Sequence, residues 1–415
     1  MEVELVRHAL DRVPLSLIID DSAALVNLNY FFIRDRNADA GEDRRWQDLP
    51  VVIPEPFTRE WAQWCAAAGV RGKFSVVPCP AGLGRVDHGL PLFGAGQLES
   101  WLRMCREVIV PHFDITPEML THTRVLDLET LRPAAPRLWE QWDWEALPEA
   151  EEERVFDYIA LSCRILANVG LPPQGVTSPG GFGGRTLPFY ARVAGAALRA
   201  VTGDPAPYFF KRIESAPPLT APVWYPDRAC GTAVGEIIAC SGDWTGSWTG
   251  YGEVDPDRYI TADLSGGCLP PVIASGAPCV LCSHWQGLYG LHAGDRRGFR
   301  ALQTVVERLR QLDPAGERTR WRRPSEITRH ACALALAAVR TDGLRLHLDL
   351  PLRVPEFTVR LDVRGALAVR VDSVPLRRVQ TRRDFDSGSF LVEGGSVLAA
   401  FDPAARNCVL EVEAP

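Results

Sequence analysis

Short apolar runs alternate with amphipathic stretches from residue 15 to about residue 310. Leu15-Ser16-Leu17-Ile18-Ile19 has the continuous apolar character of a strand buried on both faces. Residues 57–68 place Trp61, Trp64 and Cys65 at helical spacing, Gly69 ends that helix, and residues 72–78 predict a second strand. Residues 97–108 predict a helix leading into the apolar run Val108-Ile109-Val110, with His112 at a strand end. Residues 151–168 start acidic, carry Phe156, Ile159, Cys163 and Leu166 on one face, and stop at Gly170, as a helix should. Residues 174–177, 237–240 and 279–282 read as further short strands, and residues 299–312 as a last amphipathic helix. Alternation of this kind predicts an α/β chain whose parallel sheet closes, or nearly closes, into a barrel. In such a fold the loops at the C-terminal strand ends carry the chemistry.

Beyond residue 330 the period changes from helical to two. Leu344-Arg345-Leu346-His347-Leu348-Asp349-Leu350 alternates strictly, and so do residues 357–363, 367–371, 390–393 and 409–412, separated by Gly, Asp-Ser-Gly and Pro turns. The predicted organisation is a barrel over residues 1–325 and a small antiparallel β-sandwich-like domain over residues 330–415. Ser325 is expected to cap a short helix at the junction.

Composition narrows the function. The 415 residues carry a net charge of −7 with no dominant basic run, which argues against nucleic acid as a partner. Arginine supplies nearly all the positive charge, and lysine is almost absent. The segment Met1-Glu2-Val3-Glu4-Leu5 has no basic run followed by an apolar stretch, and no segment is apolar enough to span a bilayer. A cytoplasmic protein without a membrane partner is the expectation, with self-association left open. The 11 cysteines are scattered, and Cys279 and Cys282 flank residues that read as strand interior, so reduced, buried thiols are expected.

The chemistry begins at Asp20-Asp21, which end the first apolar run. Two like charges sharing a buried strand tip conflict, and a metal ion relieves the conflict: one carboxylate binds it and the other remains beside it as a base. A helix-capping turn is the alternative. Further polar groups fall at equivalent strand ends: His112, Ser178-Pro179-Gly180, Asp243-Trp244 and His284. Trp244 and Trp248 lie in a Gly/Ser/Thr-rich loop and offer faces for a sugar ring, whereas Trp139, Trp142 and Trp144 are as readily explained by packing. The run Gly180-Gly181-Phe182-Gly183-Gly184 lacks the Gly-Lys-Ser/Thr ending of a phosphate loop and is expected to form a rim loop.

Taken in order, Asp20-Asp21, Lys73-Phe74-Ser75-Val76-Val77, Thr121-His122-Thr123, Ser178-Pro179-Gly180, Asp243-Trp244 and Ser283-His284 resemble the polysaccharide deacetylase (NodB-homology) superfamily over residues 15–310. The resemblance implies a distorted (β/α) barrel of the deacetylase type that removes acyl groups with one divalent metal ion. It assigns Asp20 as catalytic base, Asp21 and His122 as metal ligands, His284 as the acid that protonates the leaving group, and Asp243, with Trp244, as the pair that positions and walls the site. Ser178, Pro179 and Trp244 are implied on the substrate side, where Trp248 and Trp285 are expected as well. Two positions depart from the pattern. Leu126 stands where a second metal histidine is expected, leaving His112 or Asp127 as the third ligand, and Thr177 or Val176 stands near an arginine that orients the base. The expected function is metal-dependent hydrolysis, with zinc as the expected ion, of an N- or O-acylated sugar or sugar conjugate, taken as a small molecule or oligosaccharide. The alternatives are a hydrolase of a non-sugar linear or cyclic amide and a catalytically silent carbohydrate-binding barrel. Glycoside hydrolysis would require a second acid facing Asp20 or Asp21, for which Asp243 is the candidate.

Overall fold

The computed structural model describes residues 1–414 apart from Trp244, His292 and Ala293. Its first ten strands are β1 (Val3–Leu5), β2 (Val13–Asp20), β3 (Gly72–Ser75), β4 (Phe113–Thr116), β5 (Gly175–Thr177), β6 (Tyr208–Ile213), β7 (Val223–Asp227), β8 (Thr232–Ala239), β9 (Cys279–His284) and β10 (Thr319–Trp321). Nine more follow: β11 (Ala338–Asp342), β12 (Arg345–Asp349), β13 (Phe357–Leu361), β14 (Ala368–Val371), β15 (Val374–Pro375), β16 (Arg377–Val379), β17 (Ser389–Glu393), β18 (Ser396–Phe401) and β19 (Asn407–Glu413).

Two sheets build the larger unit. In one, β2 pairs in parallel with β3, β9 and β10, and β3 pairs with β4. In the other, β5, β6 and β8 run parallel and β7 lies antiparallel on the edge. Strand β2 is buried from Pro14 to Asp20 because helices or sheet cover both its faces, which is why its sequence is a continuous apolar run. Single hydrogen bonds link the two sheets where a barrel would close. Gln174 N–H donates to the Ile115 carbonyl at 3.0 Å, Thr177 N–H to Pro117 at 2.9 Å, and Cys240 N–H to Val280 at 2.8 Å. The strands therefore do not form one continuous closed ladder among the described residues, in contrast to the closed barrel that the alternation predicts.

The run Val108-Ile109-Val110 is not a strand. Residues Cys105–Ile109 continue the preceding helix, Ala95–Met104, as a turn of π-helix, and β4 starts only at Phe113. Three consecutive apolar residues satisfy a buried helix turn as well as a strand, so periodicity alone misplaced the boundary. His112 consequently precedes β4 and lies at the opposite end of the strand from the predicted chemistry.

The C-terminal strands form two facing sheets, ordered β11-β12-β19-β14-β15 and β1-β13-β18-β17-β16. Alternation explains them: Leu346, Leu348 and Leu350 are buried while Arg345 is exposed. The two inner faces meet through Leu348, Val359, Phe401 and Leu410 in one core cluster. Strand β1 comes from the other end of the chain and pairs antiparallel with β13, so the N-terminal residues are part of this sandwich. The helix Pro324–Leu336 joins the units, with Ile327 and Ala331 packed among sheet residues of the first and Cys332, Ala333 and Leu336 in the core of the second. Gly235 permits its close approach, since a Cβ there would meet Thr328 Cβ at 2.5 Å. Ser325 does not cap this helix; its hydroxyl donates instead to Asp114 at 2.7 Å. No helix among the described residues is long and apolar enough to cross a membrane.

Candidate metal and catalytic site

The C-terminal ends of β2, β4 and β9 open on one cavity of about 450 Å³. Asp20 ends β2, and the chain turns at Asp21, whose φ of 57° lies in the left-handed region. That turn swings the Asp21 carboxylate toward His122 and aims its backbone N–H at Glu118 Oε2, 2.8 Å away. Glu118 lies two residues beyond the end of β4. His122 Nε2 lies 2.7 Å from Asp21 Oδ1 and 3.6 Å from Glu118 Oε1. All three side chains are buried, and their ligand atoms lie within 4.8 Å of one another. Burial opposes a charge on His122, but the Asp21 carboxylate and hydrogen bonds to Asp21 and Glu118 push its pKa well above the usual value. Burial likewise opposes ionisation of Glu118, yet His122 and Lys73 hold it down to about 2.

His122 also has a left-handed backbone, with φ of 65°. Glu140 holds that turn. Its two oxygens accept the N–H groups of Thr121 at 2.9 Å and His122 at 2.7 Å, and Tyr158 donates its hydroxyl to the same carboxylate. Burial raises Glu140 to about 7 despite these bonds. Gln141 adds an amide 3.3 Å from His122 Nδ1.

Asp20 is paired with Lys73, a lysine with no exposed side-chain surface. The Lys73 ammonium donates to Asp20 Oδ1, to Ser75 Oγ at 2.8 Å and to Thr177 Oγ1 at 2.6 Å. Three donors meet three acceptors, an arrangement suited to a compact ammonium rather than a planar guanidinium. Burial raises the pKa of Asp20, Lys73 opposes that rise, and the Glu118 charge adds to it. Cys282 Sγ approaches the other Asp20 oxygen at 3.5 Å.

His284 ends β9 across the cavity. Asp243, in the loop after β8, accepts the His284 backbone N–H at 3.0 Å and its ring Nδ1–H at 2.9 Å. Asp243 is itself fixed by Thr245, whose N–H and hydroxyl donate to Oδ1 at 2.9 and 2.7 Å. Burial disfavours the imidazolium, but Asp21, Asp243 and Asp20 outweigh it and push His284 up to about 10. The ring is thus cationic at neutral pH, with Nδ1 committed to Asp243 and Nε2–H left to donate.

Among the other predicted residues, Trp248 and Ser178 line the cavity. Pro179 is buried beside them and is not part of the lining. Trp285 is 1% exposed and packs against Phe57, Trp61 and Phe74 with ring centroids 5.1–5.2 Å apart, so it is core rather than substrate surface. Trp244 lies outside the described residues. His112 sits at the far end of β4 beside Arg71 and Arg323, and cannot be the third ligand. Asp127 accepts from Thr130 and Glu129 and closes its own turn. Leu126 is a core residue, and Glu118 is the third residue of the group, with Asp21 and His122, that could hold a metal ion.

Sequence reasoning missed Glu118, Glu140, Gln141 and Lys211, quoted Lys73 only as part of a strand motif, and left Trp142 to packing. Glu118 stands four residues before His122, and a search upstream of the histidine as well as downstream would have found it. The chain contains only two lysines, Lys73 and Lys211, and both reach this site. In a chain that otherwise uses arginine, that was the available signal.

No protein-family model and no curated protein matches the chain. Solved structures similar to it include a T48 deacetylase with substrate, at 11% identity and a TM-score of 0.32 over 75% of this chain and 88% of that one. The catalytic domain of GH30 xylanase C from Talaromyces cellulolyticus covers 99% of each chain at 9% identity and a TM-score of 0.34. The lactam utilization protein from Thermus thermophilus matches 60% of this chain and 87% of its own at 16% identity and a TM-score of 0.27. Likenesses this distant carry no weight for the activity.

Proposed function

We propose that the chain is a metal-dependent hydrolase of the deacetylase type, its two parallel sheets acting as the arcs of a distorted barrel. The observation that carries this reading is the buried Asp21–Glu118–His122 cluster, flanked in one cavity by Asp20–Lys73 and His284–Asp243. Two buried carboxylates and an imidazole converging on one point fit a divalent ion, zinc among them. The ion would take the place of the proton that His122 now shares with Asp21 and Glu118. When bound, such an ion polarises a carbonyl and lowers the pKa of a coordinated water.

The chain's own residues supply the proton transfers. Asp20, held as an anion by Lys73, accepts a proton from the attacking water. His284 donates from Nε2 to the departing amine or alcohol, and Asp243 keeps the ring charged and oriented. Lys73 also meets the departure noted at Thr177, because it brings a cation to the base and uses Thr177 Oγ1 as an anchor. A silent barrel has less support once Glu118 and Lys73 stand in the two apparent gaps.

Trp142, Trp248 and Phe32 give the cavity apolar faces for a sugar ring. A second reading, an amide whose substrate bears a carboxylate, draws support from Arg36, Arg44 and Lys211 on the same walls. Arg36 and Arg44 are both paired with Glu42, and Lys211 donates to the Gly180 carbonyl, so much of that charge is already compensated and the sugar reading stands first. The test is acetate release from acetylated amino sugars and from N-acyl amino acids by zinc-loaded protein. Turnover of the sugars, lost in Asp20→Asn with metal retained, supports the proposal. Turnover of the amino acids alone selects the second reading. No release from either panel, with the metal bound, counts against a deacetylase.

A further inference from the structure

A second cavity, of about 240 Å³, lies where the two units meet. Residues of the N-terminal segment, the start of the helix Pro324–Leu336 and the loop before β13 form its walls. Five of these residues are arginines, namely Arg7, Arg12, Arg322, Arg323 and Arg329, against the carboxylates of Glu326 and Glu356.

The carboxylates do not balance the walls. Glu356 is shared by Arg320 and Arg322, Glu326 caps the helix through the Arg323 N–H and also pairs with Arg71, and Arg329 is paired with Asp204. Arg7 and Arg12 have no carboxylate within ion-pair distance among the described residues. Arg7 is exposed, but Arg12 is only 7% exposed. The Arg12 guanidinium donates from Nη2 to the Arg382 and Phe385 carbonyls, while its Nε is buried without a partner. Asp313 and Glu356 act on Arg12 only from longer range, and Arg320 and Arg322 oppose its charge. A buried, unpaired guanidinium is a costly feature unless an anion neutralises it.

His330, 4% exposed, lines the same cavity. Its Nε2 is 3.1 Å from the Val6 carbonyl, so Nε2 carries the proton and Nδ1 is left as an acceptor. That Nδ1 is buried and has no partner. The walls therefore offer excess guanidinium for an oxyanion and one buried acceptor for a hydroxyl.

We propose that this junction cavity binds a small oxyanion that also carries a hydroxyl, such as hydrogen phosphate or a short 2-hydroxycarboxylate. The anionic oxygens face Arg12 and Arg7, and the hydroxyl donates to His330 Nδ1. Because Arg12 reaches from the N-terminal segment to carbonyls of the C-terminal sandwich, the ligand strengthens the joint between the units. The site is separate from the metal cluster and does not depend on the proposed hydrolase activity.

The experiment titrates the full-length protein with inorganic phosphate and, separately, with glycolate, against chloride at matched ionic strength. Thermal unfolding and calorimetric titration are followed in parallel, since phosphate also stabilises proteins by exclusion. Saturable binding of one anion per chain is expected, with a rise in Tm of about 3 °C at a hundredfold excess over Kd. Arg12→Met should weaken binding at least tenfold, and Arg7→Ala, a surface change that leaves the fold intact, should weaken it several-fold. Tighter binding of one probe identifies whether the ligand is a phosphate or a hydroxycarboxylate. The proposal is overturned if neither anion binds saturably at millimolar concentration. It is overturned equally if the Arg7→Ala variant responds as the parent does.

Discussion

Replacing Lys73 with methionine tests whether its ammonium keeps Asp20 ionised. The side chains are similar in volume, so the main change is the loss of a charge whose donors meet Asp20, Ser75 and Thr177. Asp20 is buried, and its pKa already lies above the ordinary 3.8. Without the lysine, the carboxyl is forced to take up a proton in the folded state. Holding a carboxyl of ordinary pKa 3.8 neutral costs about 1.4 kcal/mol per pH unit above that value. This bounds the loss at about 4 kcal/mol at pH 7 and about 2 kcal/mol at pH 5, less what the raised pKa of Asp20 already costs the parent. The direct cost of breaking a buried pair, about 3–5 kcal/mol, has the same size. The sign follows from the raised pKa. The stability is retained below the unfolded pKa and lost as pH rises, so the deficit of the variant should shrink on acidification. Urea denaturation of metal-free protein at pH 7 and pH 5 measures it, and the double variant Lys73→Met/Asp20→Asn should recover most of the loss. A deficit below about 1 kcal/mol at pH 7, or one of equal size at both pH values, would refute the reasoning.

Glu140→Ala should free the turn that carries His122 and lower zinc affinity about 10- to 100-fold, as measured by chelator competition; unchanged affinity would show that the turn holds itself. Asp243→Asn should lower the His284 pKa from about 10, which ring-proton NMR of the metal-free protein would register; titration at the parent's pH would remove Asp243 as the orienting group. Asp114, buried against Ser325 with its pKa raised to about 6, should make the parent lose up to about 3 kcal/mol as pH rises from about 4 to 6. Asp114→Asn should flatten that part of the stability profile, and an identical profile in the variant would contradict the assignment.

Much of this arrangement is legible in the sequence because the physics is local. The run before Asp20-Asp21 reads as a strand since burial on both faces leaves it a single small polar residue, Ser16, and the alternation from Leu344 to Leu350 gives the sandwich its period. The aspartate pair and His284 fall at strand ends, and His122 and Asp243 in the loops beyond them; Asp20, Asp21, His122 and His284 line the cavity, and Asp243 holds His284. What escaped depends on long-range pairing. No periodicity shows that β1 crosses to pair with β13, or that Val108-Ile109-Val110 finishes a helix and leaves His112 at the far end of β4. Glu118 and Glu140 act through a folded turn with left-handed residues at Asp21 and His122, which neither sequence position reveals. Lys73 sits in an apolar strand and reads as an interruption until Asp20 is placed above it.

Metal content is the most direct test of the central claim that Asp21, Glu118 and His122 form a cation site beside a separate base. Parent protein, Glu118→Gln, His122→Ala and Asp20→Asn are each loaded with zinc, dialysed and analysed, with circular dichroism confirming the fold. The expected result is about one equivalent in the parent and in Asp20→Asn, and little in the other two. A folded parent that retains no zinc, manganese or cobalt, or a Glu118→Gln variant that keeps its full equivalent, would contradict the account.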